Sequence, residues 1–473
     1  MSKEIRANYG QTMMFPPCLE DWIEADHPAR WIRTFVDELD LGALGFKVRE
    51  EGDDGRPGYA ADLLLKVWLY GYLERIRSSR RLEKACRQHV ALMWLTGMHY
   101  PDHNSLWRFW RDNRGALQEL FRQTVQLAVR TGLVEMAVHA VDGTKITARA
   151  STHRVWSRKR LEKLEKELEG RIGEAMREVE QAERSEAGEY RLPEELRDAC
   201  KLRDKIREHL AELKKKGRKY MSSSEPDAEM MKNHEGTRMS YNAQVVADGA
   251  AGIIVAPEVT REANDKLQLA GMLDRVQENL GRVAEETTAD SGYFSGEQLA
   301  DAERQERAVL VNLEGVSPSE EKQGPYHTSR FVHDAERDCL ICPRGGVLVY
   351  EGTVTPKDRR HGARRYRCEG FKSCPVRWEC SQEKRGRSVK LSPYAEAIQH
   401  QHAKQKDPAK ADLLKKRMGI VEPVFARIKH QLGFRRWTMG GLEKVRAQWF
   451  FVCSLANLMV LYTRWRENRL MLA

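Results

Sequence analysis

Two aspartates stand at positions that suit metal chemistry. Asp142 closes the apolar run VEMAVHAV, Asp290 closes the run VAEETTA, and a small residue follows each of them. Acidic groups at the strand ends of an α/β sheet face the crevice in which ligands bind. Gly143 would let a backbone or a metal ion approach closely. An aspartate before a small residue is also a common turn residue, so neither position decides the matter alone.

A third acid, Glu422, lies in the predicted helix KKRMGIVEPVFARIKHQLGF. It sits at the margin of an apolar stripe with helical spacing, formed by Val421, Val424, Phe425, Ile428 and Leu432. Lys415 and Lys429 lie seven residues to either side, so the carboxylate could face a metal ion and a phosphate backbone together. A surface Glu–Lys arrangement is the alternative. Pro423 cannot bond the carbonyl of Gly419, which predicts a kink or a new helix beside Glu422.

Two aspartates and a glutamate from separate elements are the ligands that paired Mg²⁺ ions prefer. Such a pair, roughly 3.5–4 Å apart, stabilises the attacking and leaving oxygens of an in-line displacement at phosphorus. Cutting a phosphodiester with water and joining the freed 3′-hydroxyl to a new strand are both displacements of this kind. The three acids therefore favour phosphodiester chemistry without a nucleophilic side chain.

The composition favours a polyanionic partner. The chain has 473 residues and a formal net charge of +10, which is typical of nucleic-acid binding but also of a merely basic surface. The polar start of the chain lacks the apolar region of a secretory signal. The most apolar window, residues 447–462, contains Gln448, Ser454 and Asn457, which favours a buried core helix over a membrane span. We expect a cytoplasmic, nucleoid-associated protein.

The patterning divides the chain into six segments. Residues 1–130 are predicted to be helical and DNA-binding, either as a helix-turn-helix-like unit or as a plain bundle. The predicted helices there cover residues 60–77 and 80–95, and a third starts at Asp102 or Asn104 and breaks at Gly115. Residues 131–157 and 221–314 read as two parts of an α/β core. Residues 158–220 interrupt it with a charged helical hairpin, which has leucines at helical spacing and turns at residues 185–193. Residues 315–390 form a cysteine-rich insertion, and residues 391–473 return to helix and carry Glu422.

Five of the nine cysteines crowd into the second insertion, as Cys339, Cys342, Cys368, Cys374 and Cys380. A CxxC pair followed by further cysteines suits a zinc ribbon, although the second half departs from the strict spacing. The predicted Zn²⁺ ligands are Cys339, Cys342, Cys374 and Cys380, with unliganded cysteines as the alternative. A structural zinc would help to present four arginines to phosphates: Arg359, Arg360, Arg364 and Arg365.

Long motifs in this chain resemble those of a known family. AVDGTKITA, TTADSGYFSGEQL and IVEPVFARIKHQLGFRRW are similar to the three catalytic boxes of DDE transposases from bacterial insertion sequences. The stretch YAADLLLKVWLYGYLERIRSSRRLEKACRQHVALMWLTG resembles that family's helical N-terminal domain. The similarity runs from about residue 10 to residue 465 and is of the insertion-sequence family eleven-eighty-two type.

The resemblance implies an RNase H-like catalytic core in which Asp142, Asp290 and Glu422 bind two Mg²⁺ or Mn²⁺ ions. It also implies that Arg417 and Lys429 hold the transposon end or position the metal-bound acid. Relatives often carry a tyrosine a few residues before that arginine, whereas this chain has Leu413 and Leu414 there. Further predicted DNA contacts are Lys415, Arg435, Arg436, Arg80, Arg81 and Arg108.

The implied activity is cleavage at the ends of a mobile element and joining of the 3′-hydroxyl ends to target DNA. The partners would be double-stranded terminal inverted repeats and target DNA, bound by a homodimer or a larger assembly. Two alternatives remain open at this stage. One is a nuclease or resolvase of the same fold, and the other is an inactive DNA-binding regulator.

Overall fold

The computed structural model describes residues 18–48, 58–150, 155–183, 194–215, 217–222, 224–313, 324–355 and 362–467. The turn-like segment at residues 185–193 lies outside the described residues, and so do Arg359 and Arg360. The helices are α1 Pro28–Asp37, α2 Ala61–Leu73, α3 Ser79–Cys86, α4 Val90–Leu95, α5 His103–Asp112, α6 Ala116–Arg130, α7 Arg158–Glu183, α8 Glu194–Lys215, α9 Leu269–Leu280, α10 Gly296–Arg304, α11 Arg377–Cys380, α12 Ala395–Lys406, α13 Pro408–Ala426 and α14 Leu442–Arg466. The strands are β1 Val138–Thr147, β2 Val155–Ser157, β3 Tyr220–Ser222, β4 Glu229–Asn233, β5 Gly236–Asp248, β6 Ile254–Thr260, β7 Glu286–Ala289, β8 Val309–Val311, β9 Val332–Asp334, β10 Cys339–Ile341, β11 Val347–Val354, β12 Ala363–Cys368 and β13 Ser388–Leu391.

A mixed sheet forms the centre of the molecule. Its strand order is β4-β5-β1-β7-β8, and β6 also pairs with β5. β1 runs antiparallel to β5 but parallel to β7, which in turn runs parallel to β8. β1 and β5 form because their short Val- and Ala-rich runs are covered on both faces, so that Val141, Val245 and Val246 are fully buried. The expected α/β core is therefore confirmed.

The N-terminal helices share their core with this sheet. α14 packs against both α6 and β6, and one continuous apolar cluster joins α1–α6, the sheet and α14. Asn457 on α14 accepts a hydrogen bond from Ile254 N (2.8 Å) and donates to Ile254 O (2.8 Å) and Thr124 Oγ1 (3.3 Å). The first 130 residues thus do not form a separate core among the described residues. α14 has the length and composition of a membrane span, but its apolar window is 83% buried within the protein.

Two predicted helices in the N-terminal region end earlier than their apolar patterns suggest. α2 stops at Leu73, because Arg75 takes a positive φ of 60° and Ile76 N bonds back to Gly71 O. The predicted helix over residues 80–95 is two helices, α3 and α4, broken between Arg87 and His89. The predicted break at Gly115 separates α5 from α6, and Asp102 caps α5 as expected.

Both insertions have small cores of their own. α7 and α8 pack against each other through Leu161, Leu168, Ile206 and Leu213, as the leucine spacing predicts. The cysteine-rich segment forms an antiparallel sheet of order β13-β12-β11-β10-β9. Its core contains Phe331, Leu340, Leu348, Tyr366 and Val389.

Candidate active site

The pairing of β1 with β7 brings the two predicted aspartates side by side. The parallel register matches Val141 with Ala289, and Asp142 and Asp290 are the next residues on their strands. β7 ends at Ala289, whereas β1 continues to Thr147 alongside β5. The sheet therefore opens at the carboxyl end of β7, and both carboxylates lie at this opening.

Backbone amides fix both carboxylates. Asp142 Oδ1 accepts from Gly143 N at 2.7 Å, and Asp290 Oδ1 accepts from Gly292 N at 2.9 Å. Asp290 caps the short 3₁₀ turn Ser291–Tyr293, which places its side chain without help from a distant element. Arg417 Nη1 donates to Asp142 Oδ2 at 3.2 Å from α13. Asp290 is thus oriented by the turn that it caps, while Asp142, within β1, is oriented by Gly143 and by α13.

Burial is the dominant electrostatic influence on Asp142. It raises the pKa of this carboxyl above its ordinary value; Arg417 opposes the rise and the negative charge of Asp290 adds to it. The side chain of Asp142 is 22% exposed and that of Arg417 is 12% exposed, so solvent screens the group only partly. A partly desolvated carboxylate beside a second one is stabilised in its charged form by a nearby cation, and Arg417 is such a cation here.

α13 passes this opening and carries Glu422 between two cations that both interact with Asp142. Arg417 makes the ion pair described above, while Lys429 feels the charge of Asp142, which counteracts the lowering of its pKa by burial. Glu422 and Lys429 are seven residues apart and lie within about 20° of each other around an α-helix axis. Glu422 itself is exposed. No described interaction joins its side chain to Asp142 or Asp290.

The helix continues through Pro423 without ending. α13 runs to Ala426, and a π-helical turn, Arg427–Gln431, follows directly and contains Lys429. Of the two outcomes expected from the proline, a new helix beside Glu422 is therefore wrong. π-Helical turns are frequent at functional sites because they re-aim side chains within a helix.

Among the described residues, no three Asp, Glu, His or Cys side chains are grouped closely enough to hold a metal ion. The structure thus brings together two of the three predicted acids. It places the third on a helix that contacts β1 and β7, but without convergence of its carboxylate.

A buried polar network lies beside the aspartates and escaped the sequence analysis. Asp265, in the loop between β6 and α9, accepts from Lys145, Asn242 and Gln244. Tyr293, fully buried in the turn after Asp290, donates to Gln244 Oε1. The sequence could have predicted this network, because Asn242 and Gln244 alternate with apolar residues in the strand YNAQVV. Polar residues that are buried in this way need hydrogen-bond partners.

Two family models match the chain. One is described as "Transposase DDE domain" and covers residues 341–462, and the other as "Transposase domain (DUF772)" and covers residues 17–112. These matches support a DDE transposase of insertion-sequence type. Comparison with curated protein sequences found no match.

The two matches cover different parts of the chain. The DDE match includes α13 with Glu422, and the DUF772 match includes α1–α5. Neither reaches Asp142 or Asp290, which the sheet register places together. The mixed α/β sheet is compatible with the RNase H-like core that the resemblance implies.

The basic residues predicted to contact DNA fall on two regions of the chain. Lys415, Arg435 and Arg436 lie on or just after α13 and are exposed. Arg80 and Arg81 on α3 and Arg108 on α5 are also exposed, on helices that contact each other. The structure therefore leaves these six side chains accessible.

Two further arginines join these regions, and no sequence pattern predicted their contacts. Arg75 donates to the carbonyls of Gln431 (3.1 Å) and His430 (2.9 Å), at the end of the π-helical turn. Arg77 donates to Leu432 O and stacks on the Phe434 ring at 5.3 Å. The N-terminal helices thus hold the segment that follows Glu422 and Lys429.

The five clustered cysteines form two groups, with Cys339 by itself and the other four together. Cys339 is buried within β10, and strand alternation places it on the face opposite its neighbour Leu340. Cys342, Cys368 and Cys380 pack against the core that contains Leu340. Burial raises the pKa of the Cys368 and Cys380 thiols, and the thiols of Cys342 and Cys374 raise both further. Cys339, one of the predicted ligands, thus faces away from this group, and Cys368 belongs to it.

Proposed function

We propose that this chain is a DNA transposase that binds the ends of its mobile element, cleaves the phosphodiester and joins the 3′-hydroxyl ends to target DNA. Its catalytic acids would be Asp142, Asp290 and Glu422. The observation that carries the proposal is the parallel register of β1 and β7, which sets Asp142 and Asp290 side by side at the open end of the sheet. Both family matches agree with a transposase in general.

The donor set fits a hard divalent cation. Asp142 and Asp290 supply carboxylate oxygens. Burial is the main reason that the pKa of Asp142 is raised, and a cation bound beside it would favour its charged form. Mg²⁺ or Mn²⁺ bound there as a pair would stabilise the attacking and leaving oxygens of the displaced phosphate. Asp142, Asp290 and Glu422 would hold the ions. Arg417 orients Asp142 before any cation arrives, because its guanidinium already donates to Oδ2.

Glu422 is the third acid of the proposal because of its position along α13. Arg417 and Lys429 bracket it, and both interact with Asp142. For this role the exposed Glu422 carboxylate must move toward Asp142 and Asp290, because the three acids are not grouped here. DNA bound across the basic residues of this helix is a reason for such a change, since phosphates would draw Arg417 and Lys429 away from Asp142.

The proposed DNA contacts follow the exposed basic residues. Lys415, Arg435 and Arg436 would hold the phosphates of the element's end near the aspartates, and Arg80, Arg81 and Arg108 would hold phosphates further along. Two ends must be processed for one insertion, so we also propose that a homodimer or larger assembly acts on DNA.

Substitution of the acids tests the proposal. With element-end DNA and Mg²⁺, Asp142→Asn, Asp290→Asn and Glu422→Gln should each lower strand cleavage by about 10³-fold or more, because each removes part of a cation site worth several kcal/mol in the transition state. End binding, measured by gel shift, should change little. Glu443→Gln is the matched control, since Glu443 is 84% exposed at the start of α14. Normal cleavage by any acid variant would exclude that residue.

The same assay separates the rival functions. Cleavage followed by strand joining supports a transposase, while cleavage without joining supports a nuclease of the same fold. Binding without cleavage by the unchanged protein supports an inactive regulator.

We further propose that the cysteine-rich sheet binds a structural Zn²⁺ through Cys342, Cys368, Cys374 and Cys380. This set replaces Cys339 of the spacing-based set with Cys368. Gly346 N donates to Cys342 Sγ at 3.2 Å, a bond that a thiolate ligand accepts more strongly than a thiol does. The four thiols would have to approach one another further to reach ligand distance.

A further inference from the structure

A fourth carboxylate, Asp265, lies against the strand that carries Asp142 and the turn that Asp290 caps. Asp265 Oδ1 is 3.1 Å from the place where a Cβ atom on Gly143 would stand. Asp265 Oδ2 and Asp290 Oδ1 are 3.7 Å and 3.0 Å from the corresponding place on Gly292. A Cβ atom at position 143 would also stand 2.3 Å from Gln244 Nε2, whereas the 3.7 Å spacing at Gly292 is ordinary van der Waals contact. Gly143 therefore lets both Gln244 and Asp265 lie close to β1.

Three side chains hold the Asp265 carboxylate. Lys145 Nζ donates to Oδ2 at 2.7 Å, while Asn242 Nδ2 and Gln244 Nε2 donate to Oδ1 at 2.6 and 2.7 Å. Asn242 and Gln244 are fully buried, and Asp265 is 16% exposed. Hydrogen bonds to a charged, partly buried carboxylate are among the strong ones. The position of Asp265 is therefore closely determined.

The same bonds tie Asp265 to the elements that place the two aspartates. Lys145 is on β1 three residues after Asp142, and Gln244 on β5 pairs with Gly143. Gln244 also accepts from Tyr293, which stands in the turn capped by Asp290. The charge of Asp265, with those of Asp142 and Asp290, acts on the Tyr293 hydroxyl. One carboxylate thus connects β1, β5 and the turn after β7.

The hydrogen-bonding capacity of Asp265 is not exhausted. A carboxylate has about four acceptor positions. The three bonds above use two on Oδ1 and one on Oδ2, so a position remains on Oδ2, the oxygen nearer to Gly292.

We propose that Asp265 is a positioning residue of the candidate active site. It fixes the strand that carries Asp142 and the turn that Asp290 caps, and its charge raises the affinity of that pair for a divalent cation. Lys145 limits this effect, because its ammonium neutralises part of the charge. The inference rests on the proposed function, in which Asp142 and Asp290 bind the cation.

Substitutions that remove the charge of Asp265 or of Lys145 test the inference, because the two charges have opposite sign. Asp265→Asn removes the negative charge at nearly constant shape, while Lys145→Met removes the neutralising cation and keeps an unbranched apolar stem of similar length. In calorimetric titrations of the full chain with Mn²⁺, Asp265→Asn should weaken binding by about tenfold, and Lys145→Met should strengthen it. With element-end DNA, Asp265→Asn should also raise the Mg²⁺ concentration that gives half-maximal cleavage, and Asp265→Glu should restore part of the loss.

Asp274→Asn is the matched control. Asp274 lies on α9 and pairs with a cation, Arg307, at 2.7 Å. Its side chain is 57% exposed, and it takes no part in the proposed cation site. It should leave Mn²⁺ binding unchanged. A purely structural role for Asp265 predicts weaker binding in both Asp265→Asn and Lys145→Met, and that result, or no change in either, would overturn the inference.

Two outcomes distinguish this inference from the function on which it rests. If Asp142→Asn abolishes cleavage and Mn²⁺ binding while the Asp265 and Lys145 variants bind Mn²⁺ normally, only the role of Asp265 is lost. If Asp142→Asn retains both properties, the proposed site itself is wrong. Should Asp265→Asn fail to fold, the direction of change in Lys145→Met still decides the role of Asp265.

Discussion

At the scale of single residues, burial disfavours the charged form of Asp142, and the proposed role of this residue explains why it is kept there. Its strand is buried, and its carboxylate pairs with Arg417, interacts with Lys429 and has Asp290 as an acidic neighbour. A structural aspartate at a turn is ordinarily exposed or fully bonded. An aspartate kept partly desolvated beside another acid is typical of functional sites.

The raised pKa of Asp142 makes a prediction about stability. Its pKa is higher in the folded chain than in the unfolded chain, so ionised Asp142 destabilises the fold at neutral pH, and this penalty disappears as pH falls through the folded pKa. Asparagine resembles the protonated form. Without divalent cations, Asp142→Asn should therefore raise the melting temperature at pH 7 by roughly 1–3 °C. The gain should shrink as the pH falls toward about 4, the ordinary pKa range of aspartate.

Thermal unfolding followed by circular dichroism at several pH values measures this effect. Asp274→Asn provides the comparison, because it removes an exposed carboxylate that is paired with Arg307 and should give no gain. A lower melting temperature for Asp142→Asn at pH 7 would mean that the Arg417 ion pair outweighs burial.

At the scale of elements, α13 is the helix that matters most for the site. It places Arg417 against Asp142, carries Glu422 on an exposed edge, and passes into the π-helical turn with Lys429. Arg75 and Arg77 then bind the segment that follows. The orientation of Glu422 is thus set by contacts at both ends of the helix, and only one end is close to it in sequence.

The cysteine-rich sheet provides the prediction at this scale. If Cys342, Cys368, Cys374 and Cys380 bind Zn²⁺, the purified chain should contain about one zinc ion, held by four ligands. Cys368→Ser should lose the ion, because Cys368 shares the face of the other three thiols. Cys339→Ser should keep it, because Cys339 is on the opposite face of β10.

Elemental analysis of the two variants measures the zinc content, and Cys200→Ser on α8 is the control. Chelation should increase hydrogen exchange in β9–β13 while leaving β1 protected, since the two sheets have separate cores. Zinc that remains in Cys368→Ser but is lost from Cys339→Ser would instead favour the set chosen from spacing.

At the scale of the whole molecule, the two ends of the chain are parts of one core. α14, near the C-terminal end, packs between the N-terminal α6 and the strand β6. Its buried polar residue Asn457 bonds to both of them. The helices with exposed basic residues are consequently attached rigidly to the sheet that carries Asp142, which fixes the distance over which DNA would be held.

Replacement of Asn457 tests this coupling. Asn457→Leu leaves the buried N–H and carbonyl of Ile254 without their side-chain partner, so it should lower the free energy of unfolding by about 2 kcal/mol or more. Ser454→Ala is the control on the same helix, because the Ser454 hydroxyl bonds only to Phe450 O within α14. Urea unfolding, followed by circular dichroism and by tryptophan fluorescence, should show one coincident transition. Equal stability of the two variants would argue against the coupling.

The sequence by itself determined what depends on local pattern. The apolar runs before Asp142 and Asp290 predicted buried strands, and the leucine spacing in residues 158–220 predicted the helical hairpin. Asp290 directly follows β7 as expected, whereas β1 continues past Asp142 to Thr147. These features follow from side-chain periodicity, which is local. The roles of the three acids were predicted from a resemblance and remain proposals.

Only the tertiary structure decided which distant residues meet. The register of β1 and β7 placed Asp142 beside Asp290, and the packing of α13 brought Arg417 into hydrogen-bond contact with Asp142. The β6–α9 loop brought Asp265 to Gln244, and the pleat of β10 turned Cys339 away from the other thiols. Strand register and helix docking are set by the packing of the whole core, so no window of sequence contains them.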